Sequence, residues 1–512
     1  MQQLSGFDAT FLYAETRNAH MAGGGLSIYD PSTAPGGRVT FDQLLAHTES
    51  RLHEARMFRQ RLVRVPMDLD HPYWIEDADF DLEFHMRQIA LPRPGDWRQL
   101  CLQVARLLAR PLDMDRPLWE NYVIEGVDNV PGIPPGSIAV FSKVHHAAID
   151  GMSGMEITNA VHDLTPEGRE STPAAAWRPE RVPPTTDLLA RAAVNNARRP
   201  MHFARVAGRA IPQLGRLQRQ LRRQQLQAPP TTIPRTRFSG PVSPHRVFDA
   251  IRLELDDFRR IKSSISGATI NDVVLATVGG ALRTYLLDKD ELPTDPLIGM
   301  APISVRTEEE KNAAGNLVSG MFVSLGTDIA DPLDRLVAVK ESTHSSKQFA
   351  EAVGARTLLD FADLMPGGLV GLGARTAGRL SLANRLRPMF NASISNMPGP
   401  RQPLYMAGAQ LVAMYGAGMI TEGMGLIHPV MSYCGDMTIS FTSDRAMMPD
   451  PAFYAECLQS AFDELDAATK PTGAARRASA TTSKRARTAA PTKRTAKKTT
   501  TRSRRTAAST TR

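Results

Sequence analysis

Phe141-Ser142-Lys143-Val144-His145-His146-Ala147-Ala148-Ile149-Asp150-Gly151 is the most informative segment of the chain. Ser137 to Val144 is an apolar run of strand length and predicts a buried strand that closes at two adjacent histidines. Successive strand residues point to opposite faces, so only one of the two rings faces a given cavity. Asp150 follows His146 closely enough to turn back toward it, and Gly151 permits a sharp turn. Ser153 and Glu156 have capping-box spacing and predict that a helix opens there. A histidine at a strand end beside a carboxylate suits general-base work, because a pKa near ~6.5 leaves much of the ring neutral at pH 7. Two half-buried structural histidines beside a turn fit the same letters. A metal site is disfavoured, since no Cys, Glu or third His stands near them in a ligand pattern.

Outward from this stretch, helical and strand patterns alternate. Phe41 to Met57 and Trp97 to Leu108 read as amphipathic helices, and Phe58 to Val65 as a strand. After Thr165 the prolines and polar residues of EGRESTPAAAWRPERVPPTT mark a linker. Asp187 to Pro229 holds nine Arg, no Lys and one acid, with Pro200 and Pro212 expected to break or kink any helix there. A second globular block begins near Thr236. Its expected elements are a strand over His245–Leu255, a helix over Thr269–Leu287 opened by a Thr269/Asp272 capping box, and a helix opening at Asp331-Pro332. Leu426–Tyr433 and Met437–Thr442 flank Cys434-Gly435-Asp436 as a hairpin. The 20 uncharged residues between Arg401 and Glu422 are long enough to span a bilayer, but Pro403, two glutamines and three glycines make them buried strands and turns instead.

Layers of helix and mixed sheet place the chain in the α/β (α+β) class. Its expected parts are residues 1–180, an Arg-rich helical linker 181–235, a second domain 236–470, and a disordered tail 471–512. The 512 residues are 42% hydrophobic, which excludes collagen-like and wholly disordered classes. The net charge of +8 comes from the tail: Pro471–Arg512 holds 13 Lys/Arg and no acid. The preceding residues therefore carry 48 bases against 53 acids. Three scattered cysteines form no CxxC pair, and MQQLSGFDATFLYAE lacks the basic start and apolar run of a signal peptide, so a reducing cytoplasm is expected.

HHAAIDG matches in full the HHxxxDG motif of CoA-dependent acyltransferases of the condensation-domain and chloramphenicol-acetyltransferase type. Further segments fall in one branch's order: Leu4-Ser5-Gly6-Phe7-Asp8-Ala9-Thr10-Phe11-Leu12, Pro117-Leu118-Trp119, Asn271-Asp272, Ala301-Pro302-Ile303-Ser304-Val305-Arg306, Gly315-Asn316 and Ser395-Asn396-Met397-Pro398-Gly399-Pro400. Over residues 4–465 the chain resembles the bacterial wax ester synthase/diacylglycerol acyltransferase family. Met397 stands where the family often has Val, and the basic tail is outside its pattern.

The resemblance implies two chloramphenicol-acetyltransferase-like domains with a tunnel between them and the active histidine midway. It implies that His146 is the general base, taking the hydroxyl proton of an acceptor that attacks the acyl-CoA thioester, without an acyl-enzyme. Asp150 is then structural, paired with an arginine of the same domain; Arg59 and Arg61 are candidates, with Arg61 preferred. His145 supports the loop or touches substrate. Asn271 orients reacting groups or only starts its helix, and Trp119 is expected in core packing. The resemblance implies no cofactor, with long-chain acyl-CoA as substrate and diacylglycerol or a long-chain alcohol as acceptor.

Such acceptors place the protein peripherally on the inner face of the membrane or on lipid bodies. The Arg-rich segment suits an interfacial helix or a solvated connector. Met365–Gly373 either borders an acyl channel or packs in the core. The tail suits weak docking to polyanions, anionic lipid or nucleic acid, or simple solubilisation. Two other functions stay open: a condensation-type ester- or amide-forming enzyme, and a non-catalytic scaffold binding lipid or nucleic acid.

Overall fold

The computed structural model describes residues 1–149, 154–169, 177, 179–223, 226, 232–304, 318–353 and 387–470. Asp150, Gly151, Ser153, Val305-Arg306, Gly315-Asn316, Met365–Gly373 and the tail from Pro471 lie outside them. So does the Glu156 side chain, although its backbone is helical as expected.

In chain order the first half runs β1 (Gln2–Gln3), α1 (Gly6–Ala14), β2 (Ala22–Asp30), α2 (Phe41–Arg51), β3 (Gln60–Val63), β4 (Tyr73–Glu76), α3 (Leu82–His85), β5 (Met86–Ala90), α4 (Trp97–Leu108), β6 (Trp119–Val127), β7 (Ser137–His145) and α5 (Gly154–Val161). A long helix α6 (Thr185–Arg222) follows. The second half runs β8 (Arg246–Glu254), α7 (Leu255–Ser264), α8 (Ile270–Asp288), β9 (Ile298–Ser304), β10 (Val318–Ser324), α9 (Pro332–Val353), β11 (Ala392–Met397), β12 (Tyr405–Met406), β13 (Ala409–Ala417), β14 (Leu426–Tyr433), β15 (Asp436–Asp444) and α10 (Pro451–Thr469).

Two six-stranded sheets are mixed, with orders β12-β13-β2-β7-β6-β5 and β10-β9-β11-β14-β15-β8. In the first only β5 and β6 run parallel; in the second β11 runs parallel to both β9 and β14. A small sheet, β1-β4-β3, stands apart. The mixed α/β architecture is thus as expected. Sheet membership nevertheless cuts across chain order. The uncharged stretch 402–421 supplies β12 and β13, and β13 pairs with β2, Gly416 opposite Gly25 and Ala417 opposite Gly24. It also reaches the other sheet, where the Thr438 hydroxyl donates to the Met414 carbonyl at 2.8 Å. No helix among the described residues is long and apolar enough to cross a membrane.

Local sequence explains most elements. Asp96 and Gln99 form a capping box that opens α4, whose Leu100, Val104, Leu107 and Leu108 are buried. Such a cap is worth about 1 kcal/mol and each buried leucine about 1.5–3. Thr269 and Asp272 open α8 in the same way, and that helix is buried nearly all round. Asp331 accepts from the Leu333 and Asp334 amides ahead of Pro332. Cys434 (φ 46°) and Gly435 (φ 100°) turn the β14–β15 hairpin.

Two expectations fail. The helix over Phe41–Met57 stops at Arg51; Leu52 and Ala55 stay buried, but across a turn, so apolar spacing outlasts the helix. Of the break or kink expected at Pro200 and Pro212, the break does not occur: α6 runs through both for 38 residues. Its inner face buries Leu188, Ala192 and Val206, and this packing outweighs the hydrogen bonds that the two prolines remove.

Candidate active site

β7 is the centre of the first half's sheet, held between β2 and β6. Its last residue, His145, faces Ala22 across the β2 ladder. The Pro117-Leu118-Trp119 segment clamps it from the other side, since the Leu118 carbonyl accepts the His145 N–H at 2.9 Å. Trp119 is 1% exposed, donates Nε1–H to the Phe58 carbonyl at 3.0 Å and stacks on His85 with centroids 4.6 Å apart. It is a packing residue, as expected.

The close approach of β2 to β7 depends on glycine. A Cβ at Gly24 would lie 1.8 Å from the Ser142 carbonyl oxygen. Lys143 is fully buried and donates to the Leu107 carbonyl at 3.1 Å and to that of Arg110, satisfying the end of α4. Burial pushes its pKa down to about 8, against the pull of Glu120 and Glu15.

His145 and His146 are brought together but treated differently. The His145 side chain is 0% exposed; its Nδ1 accepts the Ala147 N–H at 3.1 Å, and its Nε2 lies 3.3 Å from Oε1 of Glu15. His146 opens a short 3-10 turn, His146–Ile149, and its N–H donates to the Met21 carbonyl at 2.8 Å. Its ring is half-buried and stacks on Phe11, with centroids 4.5 Å apart and planes at 21°. Burial, reinforced by the neighbouring His145, lowers its pKa to about 4, with only its own backbone carbonyl acting the other way. The ring is therefore a neutral proton acceptor at physiological pH.

Phe11 and Glu15 were not singled out by sequence reasoning, although their spacing was a signal. Ser5 caps α1 by accepting the Asp8 N–H at 3.1 Å. Phe11 then lies in that helix and Glu15 four residues on, the separation that puts two side chains on one face. Burial alone would raise the Glu15 carboxyl; its interactions with His145 and the Met21 amide more than offset it, leaving it below its usual range.

The segment beyond Glu15 ties the site to the second half. Asn18 Nδ2 donates to the Val242 carbonyl at 3.1 Å, and the Asn18 carbonyl accepts from Arg246 at the start of β8. The site thus lies where the two halves meet.

Asn271 is half-buried in the first turn of α8, and none of the described contacts joins it to either histidine. Its neighbour Asp272 is buried and accepts the Thr269 N–H at 2.7 Å, a capping role. Arg61, the preferred partner for Asp150, pairs with Asp77 at 3.2 Å, and Arg59 lies over the Trp177 ring.

Comparison with known proteins agrees with this geometry. Residues 4–274 match the wax ester synthase/diacylglycerol acyltransferase catalytic domain, and residues 314–466 the C-terminal domain of the same family. A Mycobacterium tuberculosis protein named provisionally as a diacylglycerol O-acyltransferase is 32% identical over 465 residues, 91% of this chain and 90% of the relative. A second from the same species is 32% identical over 480 residues, 92% of this chain and 98% of the relative. Among solved structures, the wax ester synthase/diacylglycerol acyltransferase of Marinobacter aquaeolei VT8 superposes with a TM-score of 0.62 at 26% identity, covering 92% of this chain and all of that one. The starter condensation domain of rhizomide synthetase shares the fold, with a TM-score of 0.50 at 13% identity over 92% of this chain and 94% of that one. The chain belongs to the wax ester synthase/diacylglycerol acyltransferase family and is an acyltransferase.

Proposed function

We propose that this acyltransferase moves a long-chain acyl group from acyl-CoA to the hydroxyl of diacylglycerol or a long-chain alcohol, with His146 as general base. The neutral, half-buried imidazole at the junction of the halves carries the reading. The ring takes the hydroxyl proton as the acceptor oxygen attacks the thioester carbonyl. The ester C–O bond forms, the C–S bond breaks, and the proton passes to the departing thiolate, giving free CoA. No covalent enzyme intermediate and no cofactor enter this scheme. A base of this kind contributes about 10²–10⁴ in rate. In this reading Asp150 serves the motif structurally rather than as a base, and Asn271 orients reacting groups from the start of α8.

The acceptor lies in lipid, and α6 supports a peripheral docking role on the inner face of a membrane or on lipid bodies. Arg191, Arg198 and Arg205 recur every seven residues and are exposed, as are Val194 (49%), Met201 (65%) and Phe203 (54%). Asp187 is the one acid in the helix. Exposed apolar residues among arginines suit an anionic lipid surface.

The test is a panel of dioleoylglycerol, hexadecanol and hexadecylamine, each given with palmitoyl-CoA and scored for free thiol and for product on thin-layer plates. Thiol release requires one of the hydroxyl acceptors, and His146→Ala abolishes it while the melting temperature stays unchanged. Near-normal turnover by that variant overturns the general-base assignment. Product with the amine alone points to amide formation instead.

A further inference from the structure

One carboxylate holds the His145–His146 pair from two directions. Glu15 stands at the C-terminal cap of α1. Its Oε1 lies 3.3 Å from His145 Nε2 and also accepts the Met21 N–H at 3.3 Å. The Met21 carbonyl in turn accepts the His146 N–H at 2.8 Å. His145 Nδ1 accepts the Ala147 N–H, and a ring nitrogen that accepts carries no proton. The ring proton therefore sits on Nε2, 3.3 Å from Glu15 Oε1, and Nε2 makes no aligned hydrogen bond to any described residue, so this electrostatic contact is what faces the proton.

We propose that Glu15 is a positioning residue for acyl transfer: it fixes the buried His145 ring in its Nε2–H tautomer and, through the Met21 peptide, sets the backbone from which the His146 ring reaches the acceptor hydroxyl. This rests on the acyl-transfer reading above. Without the carboxylate, the buried His145 Nε2–H loses its one described electrostatic contact, and the ring gains by turning over. That turn costs the Ala147 N–H its acceptor in the very peptide that follows His146. The carboxylate also has cationic and titratable company in His20, Lys143 and Arg246, which surround the same corner. Both donors converge on one oxygen, Oε1. A glutamine carbonyl can supply that oxygen, whereas alanine cannot.

The experiment uses the full-length protein labelled with ¹⁵N-histidine, the His145 signals being assigned by their loss in His145→Gln. Wild type is expected to show His145 protonated at Nε2. Glu15→Ala shifts that ring toward the other tautomer and lowers kcat on the order of 10²-fold, the usual consequence of a reacting group displaced by about 1 Å. Its KM for acyl-CoA changes little. Glu15→Gln keeps the Nε2–H pattern and restores most of the turnover. Four outcomes overturn the proposal: a wild-type His145 protonated at Nδ1, an alanine variant with unchanged kcat, a glutamine variant as slow as alanine, or a loss confined to KM. If alanine prevents folding, the wild-type tautomer and the glutamine variant still decide. Failure of wild type to acylate any acceptor defeats the acyl-transfer reading separately, since the tautomer is read without turnover.

Discussion

The Phe11 ring lies nearly parallel to that of His146, its centroid 4.5 Å away, so α1 walls off one face of the imidazole. Burial is the main reason that this histidine stays neutral down to about pH 4. Removing the wall admits water. Phe11→Ala is expected to raise the His146 pKa toward 6.5. In the proposed mechanism the neutral ring is the active form, so the acid limb of the kcat/KM profile then moves from about pH 4 toward pH 6. Phe11→Leu, which keeps an apolar wall, moves it less. A pH–rate series on the three proteins reads this directly, and an unmoved limb in Phe11→Ala shows that another group desolvates the ring.

The Gly24 contact gives a prediction with an internal control. A Cβ there collides with the Ser142 carbonyl, a backbone atom that cannot step aside without moving β7 and the histidines at its end. Gly24→Ala is expected to cost about 1–3 kcal/mol, as overpacking does, and to lose turnover out of proportion to the loss of folded protein. Gly208 lies exposed inside α6, where an added Cβ meets nothing within 4 Å. Gly208→Ala is expected to stabilise by about 0.5–1 kcal/mol and leave turnover alone. Urea denaturation beside a thiol-release assay separates the two. Equal behaviour of the variants removes the packing argument.

What could be read from the letters alone was local. The α4 pattern, the Thr269/Asp272 cap of α8, the Asp331-Pro332 start of α9 and the Cys434-Gly435 hairpin all rest on neighbours within a few residues. The general fold and the acyltransferase family were legible through ordered motifs. Three things were not. The pairing of β13 with β2 joins segments hundreds of residues apart, and no alternation pattern names a strand's partner. The continuity of α6 through Pro200 and Pro212 depends on the surface that its Leu188–Val206 face covers. The approach of Glu15 to His145 needs α1 to be docked first.

Acid should weaken the fold through buried neutral histidines. Burial lowers His428 to about 3, despite a hydrogen bond to the Ser393 backbone, and lowers His162 to about 4. In the unfolded chain these rings protonate near pH 6.5. Below that pH the unfolded state holds more protons, so stability falls as pH falls from 6.5 toward the folded values. The slope is about 1.4 kcal/mol per pH unit for each ring. His428 Nε2 lies 2.8 Å from the Tyr454 hydroxyl. His428→Gln offers that hydroxyl an acceptor and cannot titrate. Between pH 7 and pH 5 the variant is expected to lose about 2 kcal/mol less than wild type in urea titrations. An equal loss in both proteins means that His428 does not carry the acid sensitivity.

Two cationic elements are candidates for the proposed membrane docking, and they can be separated because they lie in different parts of the chain. The tail Pro471–Arg512 carries 13 Lys/Arg and no acid, and each base near an anionic surface is worth about 1 kcal/mol. Such attraction fades when salt screens it beyond about 8 Å at physiological strength. The α6 face adds exposed Val194 and Met201, whose burial in lipid salt does not screen. Removing the tail is therefore expected to weaken binding to vesicles containing phosphatidylglycerol at low salt and to matter less at high salt. Reversing Arg191, Arg198 and Arg205 to Glu should remove most of what remains. Both proteins should keep full turnover in detergent, where the acceptor is delivered without a bilayer. Co-sedimentation at two salt concentrations reads the outcome. Equal binding with and without the tail at low salt rejects its role, and undiminished binding by the reversed helix rejects that of α6.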